Sequence, residues 1–183
     1  MTDVSSQVAA AHLELIDAVS NALAVSESIP TAGSAATLAI DRYREDGWNA
    51  LAEALKRRLA GLTVDETHLD EEDRMILSAI DRAAEEPRWL YRVAEQAEAE
   101  AAEQIAALIL AATWGEREAL AALNEMREAA LAAGIEGSTA HAFVAIVQGE
   151  RRLDAILDSY ENAQAGLVER TLFALTQREQ ERS

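Results

Sequence analysis

The sequence predicts an all-α fold, arranged as a single-domain helical bundle of about six helices with a long C-terminal helix. Half of the 183 residues are hydrophobic but only 4% are aromatic. The core must therefore be built mainly from alanine, leucine, isoleucine and valine, which suits closely packed helices. Apolar residues recur at spacings of three, four and seven, the period of an amphipathic helix. Because the length suits one ordinary domain, we expect residues 1–183 to form it.

Two helices are predicted in the N-terminal third. The first spans about 4–25, where valine and leucine residues share one helical face. A proline and a glycine within 26–34 then interrupt the pattern. The second helix spans about 35–60, and its last turn carries three cations that complement the negative end of the helix dipole. Gly61 follows as a candidate C-cap.

Three further helices are predicted in the middle of the chain. An acidic first turn indicates the start of a helix at about 71–85. Pro87 forbids a smooth continuation but suits the first turn of the next helix, expected at about 88–113. A fifth helix is expected at about 116–133, where Gly134 ends it.

The C-terminal part is predicted to form one long helix. Ser138 is a candidate N-cap, and no proline interrupts the apolar residues that follow. The pattern predicts a helix of about 40 residues, on the order of 60 Å long. We expect any bend in it at Gly149 or Gly166, and fraying in the polar tail at 176–183.

Composition and charge narrow the function classes. With 33 acidic and 16 basic residues, the net charge is −17, which repels phosphate backbones and predicts no direct nucleic-acid binding. No stretch reaches the roughly 18 apolar residues that a membrane span needs, and Asp3 replaces the basic start of a signal peptide. We therefore expect a cytoplasmic protein without membrane contact. The absence of cysteine excludes disulfides, thiolate metal sites and a cysteine nucleophile.

The three histidines do not form a catalytic or metal-binding motif. None follows the Glu-x-x-His spacing of di-iron bundles. Asp65, His68 and Glu72 leave a divalent-cation site open as an alternative, although a solvated helix start is the preferred interpretation. His12 lies on an apolar face and is interpreted as a core or interface residue, and His141 as part of a helix start. The sequence therefore predicts no catalytic residue, no cofactor and no metal.

The aromatic residues are the most localised feature of this acidic chain. Two pairs of them lie beside arginines, a composition typical of binding hot spots. The alternative is that these rings fill the few large spaces in an alanine-rich core. With four residues of the predicted long helix, they form the candidate interface: Tyr43, Trp48, Trp89, Tyr91, Leu153, Leu157, Tyr160 and Leu167.

These observations predict a non-enzymatic helical interaction or assembly protein whose partner is a protein, most simply a second copy of itself. A 40-residue helix exposes apolar positions that shorter helices do not cover, and a second copy would cover them. One alternative is an acidic inhibitor or immunity-type protein that neutralises a basic partner. Another is a helical bundle with a small-molecule pocket, a sensor or an enzyme, with Trp48, Trp89 and Trp114 near the ligand.

Overall fold

A computed structural model of the protein describes residues 4–24 and 30–181. These residues form ten α-helices and one 3-10 helix and contain no strand, so the all-α prediction is confirmed while the predicted count of six helices is wrong. Within the described ranges, none of the helices has the length and apolarity to cross a membrane. The helices are α1 (Val4–Ala11), α2 (Leu13–Ala24), α3 (Pro30–Glu45), α4 (Asn49–Leu59), α5 (Glu71–Glu85), α6 (Pro87–Thr113), α7 (Arg117–Ala132), α8 (Thr139–Val147), α9 (Leu153–Ser159) and α10 (Ala165–Gln180).

Backbone contacts divide the chain into two compact units, Met1–Ala97 and Glu98–Ser183. Helix α6 contributes its first turns to the first unit and its later turns to the second. The prediction of one domain over residues 1–183 stays a prediction, and each unit is described by itself.

The first unit is organised around α2. This helix packs against α3 and α5, while α1 packs against α5 and α3 against α4. Burying a leucine or isoleucine side chain fully contributes about 1.5–3 kcal/mol relative to leaving it in water. The largest fully buried side chains of this unit are Leu15, Ile16, Ile40, Leu51, Leu55, Ile76 and Ile80.

The helix predicted at 35–60 is in fact two helices. Gly47 adopts a φ of 97°, which ends α3, and the Trp48 amide donates a hydrogen bond to the carbonyl of Tyr43 at 2.9 Å. The helix predicted at 4–25 divides at His12 into α1 and α2. In the predicted break that follows, residues 25–29 lie outside the described residues, and α3 already begins at Pro30.

Helix α5 begins as its sequence predicts. The Asp70 carboxylate accepts the Asp73 amide at 2.8 Å, and the Asp73 carboxylate accepts the Asp70 amide at 3.3 Å. This reciprocal capping box satisfies two amides that have no partner within the helix. The acidic first turn therefore positions the start of α5.

The second unit contains the later turns of α6 and helices α7 to α10. Helix α7 packs against α8, and α9 and α10 contact each other and α8. The largest fully buried side chains of the second unit are Ile109, Leu123, Phe143, Ile146 and Ile156.

The predicted 40-residue C-terminal helix is wrong, because this stretch forms α8, α9 and α10. Gly149, with a φ of 107°, ends α8, and the Glu150 amide turns back to the carbonyl of Ala145 at 3.0 Å. The bend expected at Gly149 is thus a helix end. Gly166 lies inside α10 and ends nothing.

A second interruption lies between α9 and α10, where two loops are joined. The Asn162 amide donates to the carbonyl of Gly137 at 3.1 Å, and the Gln164 amide donates to the Thr139 hydroxyl at 2.8 Å. The amides of Asn162 and Gln164 thus have hydrogen-bond partners in another part of the chain, in place of the carbonyls that a continuous helix would offer them. Helix α10 then continues to Gln180, within the stretch predicted to fray, and residues 182–183 lie outside the described residues.

Candidate functional site

An apolar groove of about 320 Å³, here called the docking groove, opens in the first unit between α2, the end of α5 and the start of α6. Ala83 and Leu90 are buried at its floor, whereas Tyr91 is exposed. The α2 side of the groove is formed by Leu13, Glu14, Asp17, Ser20 and Asn21, and the opposite side by Ala83, Pro87, Leu90, Tyr91 and Ala94.

Helical periodicity places these residues on facing surfaces. The five residues of α2 follow a spacing of one, four, seven and eight, and the four of α6 a spacing of three, four and seven. Each set therefore shares one face of its helix over about two turns. Pro87 suits the first position of α6 because an amide there has no helical partner to lose.

The two sides of the groove differ in charge. The Glu14 side chain is 92% exposed, and its nearest cation is the Arg42 guanidinium at 3.9 Å, the outer limit of an ion pair. The Asp17 carboxylate accepts a hydrogen bond from the Asn21 amide group at 3.0 Å. The α2 side is thus an acidic rim, while the α6 side is formed by apolar atoms and the phenol of Tyr91.

A polar network lies at the junction of α1 and α2. His12 Nδ1 is 2.6 Å from the Tyr43 hydroxyl, and its Nε2 is 3.1 Å from a carboxylate oxygen of Glu72. A carboxylate only accepts, so Nε2 donates to Glu72, and in the neutral ring Nδ1 then accepts a hydrogen bond from the Tyr43 hydroxyl. Only 10% of the His12 side chain is exposed, and the Trp48 ring meets it edge-on with centroids 5.4 Å apart.

This network joins the junction of α1 and α2 to α3 and α5. Burial raises the pKa of the Tyr43 phenol, and the negative charges of Glu14, Asp46 and Glu72 raise it further. The phenolate is therefore disfavoured, and both ring nitrogens of His12 are occupied by partners.

A polar cavity of about 470 Å³ lies beside this network, where Trp48, His68 and Glu72 contribute to its lining. Three of its four carboxylates bond other groups of the protein, because Glu72 bonds His12 and Asp70 and Asp73 form the capping box of α5. Burial raises the pKa of the Asp73 carboxyl, the largest effect on that group. The cavity is therefore lined by the Trp48 ring and by carboxylates, most of which already bond other groups of the protein.

The divalent-cation alternative at Asp65, His68 and Glu72 is not formed. Across residues 4–24 and 30–181, no group of three or more histidine, aspartate or glutamate side chains is arranged to hold a metal ion. Asp65 instead accepts the Thr67 amide at 3.0 Å and caps the 3-10 helix Glu66–His68. His141, in the second unit, bonds the Ser138 hydroxyl through Nδ1 at 2.9 Å, across the first turn of α8.

The predicted aromatic pairs have different environments. Tyr43 and Trp48 come together around His12, with their ring centroids 5.7 Å apart. Trp89 is buried, and the Arg82 guanidinium lies over its ring at 4.5 Å. Tyr91, two residues later, is 70% exposed and lines the docking groove. Only one residue of the second pair therefore faces outward.

The four candidate interface residues of the C-terminal region are half-buried: Leu153, Leu157, Tyr160 and Leu167. All except Leu157 pack against the core of the second unit. Sequence reasoning did not identify the acidic rim, because Glu14 and Asp17 resemble an ordinary solvated helix face. The signal available was their shared face with Leu13, next to the apolar face that continues through Leu15 and Val19.

Comparisons with protein-family models, with curated proteins and with solved structures found no match to this chain.

Proposed function

We propose that this protein is a non-enzymatic interaction protein that binds a basic protein partner through the docking groove. The observation that carries the proposal is the pairing of an apolar floor with an acidic rim. Apolar contact supplies most of the stabilisation at such a surface, and complementary charge supplies specificity and a high rate of association. A partner segment with apolar and cationic side chains fits both.

The charge of the whole chain supports a basic partner. Residues 1–97 hold 18 acidic and nine basic residues, and residues 98–183 hold 15 and seven. Both stretches are therefore strongly negative, and both contribute to the attraction of a basic partner. Because mobile ions screen exposed charges over about 8 Å at physiological salt, the association rate should fall as salt rises.

The polar networks support a non-enzymatic role. His12 is held between Tyr43 and Glu72, and the raised pKa of Tyr43 keeps its phenol protonated. The Ser138–His141 pair belongs to the first turn of α8, three residues apart, as in a local cap. In the first arrangement the raised pKa of the Tyr43 phenol opposes its activation as a nucleophile, and in the second no acid is described on the other nitrogen of His141.

Self-association is the alternative within the same class. Its original reason was an uncovered 40-residue helix, which the three helices α8 to α10 replace. Two copies of a chain with a net charge of −17 repel each other, and an acidic rim disfavours a second acidic copy. Light scattering over a hundredfold concentration range, at low and high salt, tests this: a salt-insensitive dimer would replace the basic partner with a second copy.

The proposal is tested by selecting peptides from a random display library on the full-length protein. Enriched peptides should combine lysine or arginine with leucine-like residues. Their affinity should fall at least about tenfold for Glu14→Lys/Asp17→Lys, because the rim then repels cations. Glu45→Lys/Glu53→Lys makes the same change in net charge at two exposed residues that do not line the groove.

Equal losses for the two double variants would show attraction to net charge alone and would refute the groove. Enrichment of neutral or acidic peptides would refute the basic partner. In a third outcome no peptide binds but a small apolar amine does. That result would assign the groove to a small molecule, because its volume of about 320 Å³ is close to the smallest pockets that hold such ligands.

A further inference from the structure

We infer that the segment bound in the docking groove is an amphipathic α-helix, with apolar residues along one face and a pair of cations on the flank that meets α2. This inference rests on the proposed function and adds the conformation of the partner and the orientation of its charges. Four features of the groove carry it: the length of its walls, its small side chains, its lack of hydrogen-bonding floor groups and its one-sided charge.

The walls have the dimensions of a helix-binding groove. Leu13 and Asn21 mark the ends of the α2 wall, eight residues or about 12 Å apart along the helix axis. Pro87 and Ala94 mark the ends of the α6 wall, about 10 Å apart. Two helix faces of similar length therefore border the groove, and a segment of two to three turns fills it, as in helix-in-groove recognition.

Small side chains allow a helix to approach closely. The groove is lined by the small side chains of Ser20, Ala83 and Ala94 as well as by the larger Leu13, Leu90 and Tyr91. The distance between packed helix axes depends on the side chains at the contact, and small residues permit the shorter values of about 8 Å. Leucine-sized residues at spacings of three, four and seven on the partner would enter between these larger side chains.

The apolar floor favours a helix over an extended peptide. A helix satisfies its own amides and carbonyls, whereas an extended peptide needs outside partners for them. Leu13, Ala83, Leu90 and Ala94 offer no side-chain donor or acceptor, and in the described ranges there is no strand whose edge an extended peptide could join. Backbone groups left unpaired in such a groove would oppose binding.

The charge of the rim sets the orientation of the partner's cations. Glu14 and Asp17 lie three residues apart on α2, and both belong to the same wall. The opposite wall is formed by Ala83 and residues of α6, with no carboxylate among them. Two cations one turn apart on one flank of the bound helix therefore meet both carboxylates, and the other flank contacts Tyr91.

The test uses three 14-residue peptides of identical lysine and leucine content, titrated into the full-length protein by calorimetry. In one, the leucines follow a spacing of three and four. In the second, leucine and lysine alternate, which suits an extended strand. The third keeps the helical spacing but replaces one central alanine with proline, which breaks a helix. All three share the same net charge, so general attraction to the acidic chain is equal.

We expect the helical peptide to bind at least about tenfold more tightly than either control and to gain helical circular dichroism on binding. Affinities within twofold of one another would overturn the helical partner while leaving the proposed function intact. If none of the three binds, both the inference and the basic partner fail. Glu14→Lys/Asp17→Lys should abolish most of the preference for the helical peptide, and a preference unchanged in that variant would overturn the placement of its cations.

Discussion

Replacing Tyr43 with phenylalanine removes one oxygen atom from the first unit and leaves the aromatic ring in place. The phenol donates to His12 Nδ1 at 2.6 Å, in a site where only 10% of the His12 side chain is exposed. The net contribution of such a hydrogen bond is about 1 kcal/mol, and an unpaired buried nitrogen costs about 1–3 kcal/mol. Because the His12 ring retains some exposure, we expect Tyr43→Phe to lower the free energy of unfolding by about 1–2 kcal/mol.

The matched control is Tyr91→Phe, which removes the same atom from a side chain that is 70% exposed. Surface substitutions of this kind change stability by about 0.5 kcal/mol or less. Both variants should be prepared with Trp114→Phe, so that Trp48 and Trp89 are the remaining tryptophans and fluorescence reports the first unit. Urea titrations then give the free energy of unfolding for each variant.

A double-mutant cycle with His12→Ala isolates the contact itself. The Tyr43 substitution should lose most of its effect when His12 is absent, because the hydroxyl then has no ring nitrogen to meet. Equal stabilities of Tyr43→Phe and Tyr91→Phe would refute the reasoning, as would additive effects of the two substitutions in the cycle. Either result would mean that the hydrogen bond between Tyr43 and His12 contributes nothing measurable to stability.

Three further predictions concern alkaline pH, the start of α5 and the second core. The pKa of Tyr43 is raised above its ordinary value of 10.0, so the phenol ionises in the unfolded chain before it does in the folded one. The free energy of unfolding of the first unit should therefore fall as pH rises past that value, and it should fall less in Tyr43→Phe. An equal fall in both proteins, followed by tryptophan fluorescence, would contradict this. Asp70→Ala removes the side chain that accepts the Asp73 amide and should lower the free energy of unfolding by about 1 kcal/mol. Glu71→Ala, at an exposed position of the same turn, should have a smaller effect, and the reverse order would contradict the capping box. Phe143→Ala should lower the free energy of unfolding by about 3–5 kcal/mol because the side chain is only 2% exposed. Phe173→Ala, at a side chain that is 67% exposed, should change it by about 0.5 kcal/mol or less. Calorimetric melting of both variants checks the difference, and similar melting temperatures would mean that Phe143 does not anchor the second core.

Helix positions were predictable wherever the determining signals are local. The acidic turn before α5, Pro87 and Gly134 all act through the nearest backbone groups. The interruption between α9 and α10 has no such signal, because it depends on amides that meet Gly137 and Thr139, more than 20 residues away. Glycine alone was an ambiguous indicator, since Gly149 ends a helix and Gly166 does not.

The docking groove was only partly predictable. Tyr91 was a candidate from composition alone, since an aromatic residue beside arginines is typical of interfaces. The acidic rim belongs to a groove because α2 and α6 both line it, and their lining residues lie more than 60 positions apart in the chain. Spacing along one helix defines a face of that helix, but not which other helix it meets. For the same reason, the sequence predicted a core or interface position for His12 but not its partners, Tyr43 and Glu72.

The separation of the two cores along the chain bears on how the protein folds during synthesis. Every residue of the first core cluster precedes position 94, and every residue of the second follows position 104. Domains generally fold as units, the N-terminal one first, as the chain leaves the ribosome. The first unit therefore has its whole core available before any core residue of the second is made. Its apolar side chains need not wait for the C-terminus, which shortens the time in which a nascent chain exposes them to aggregation.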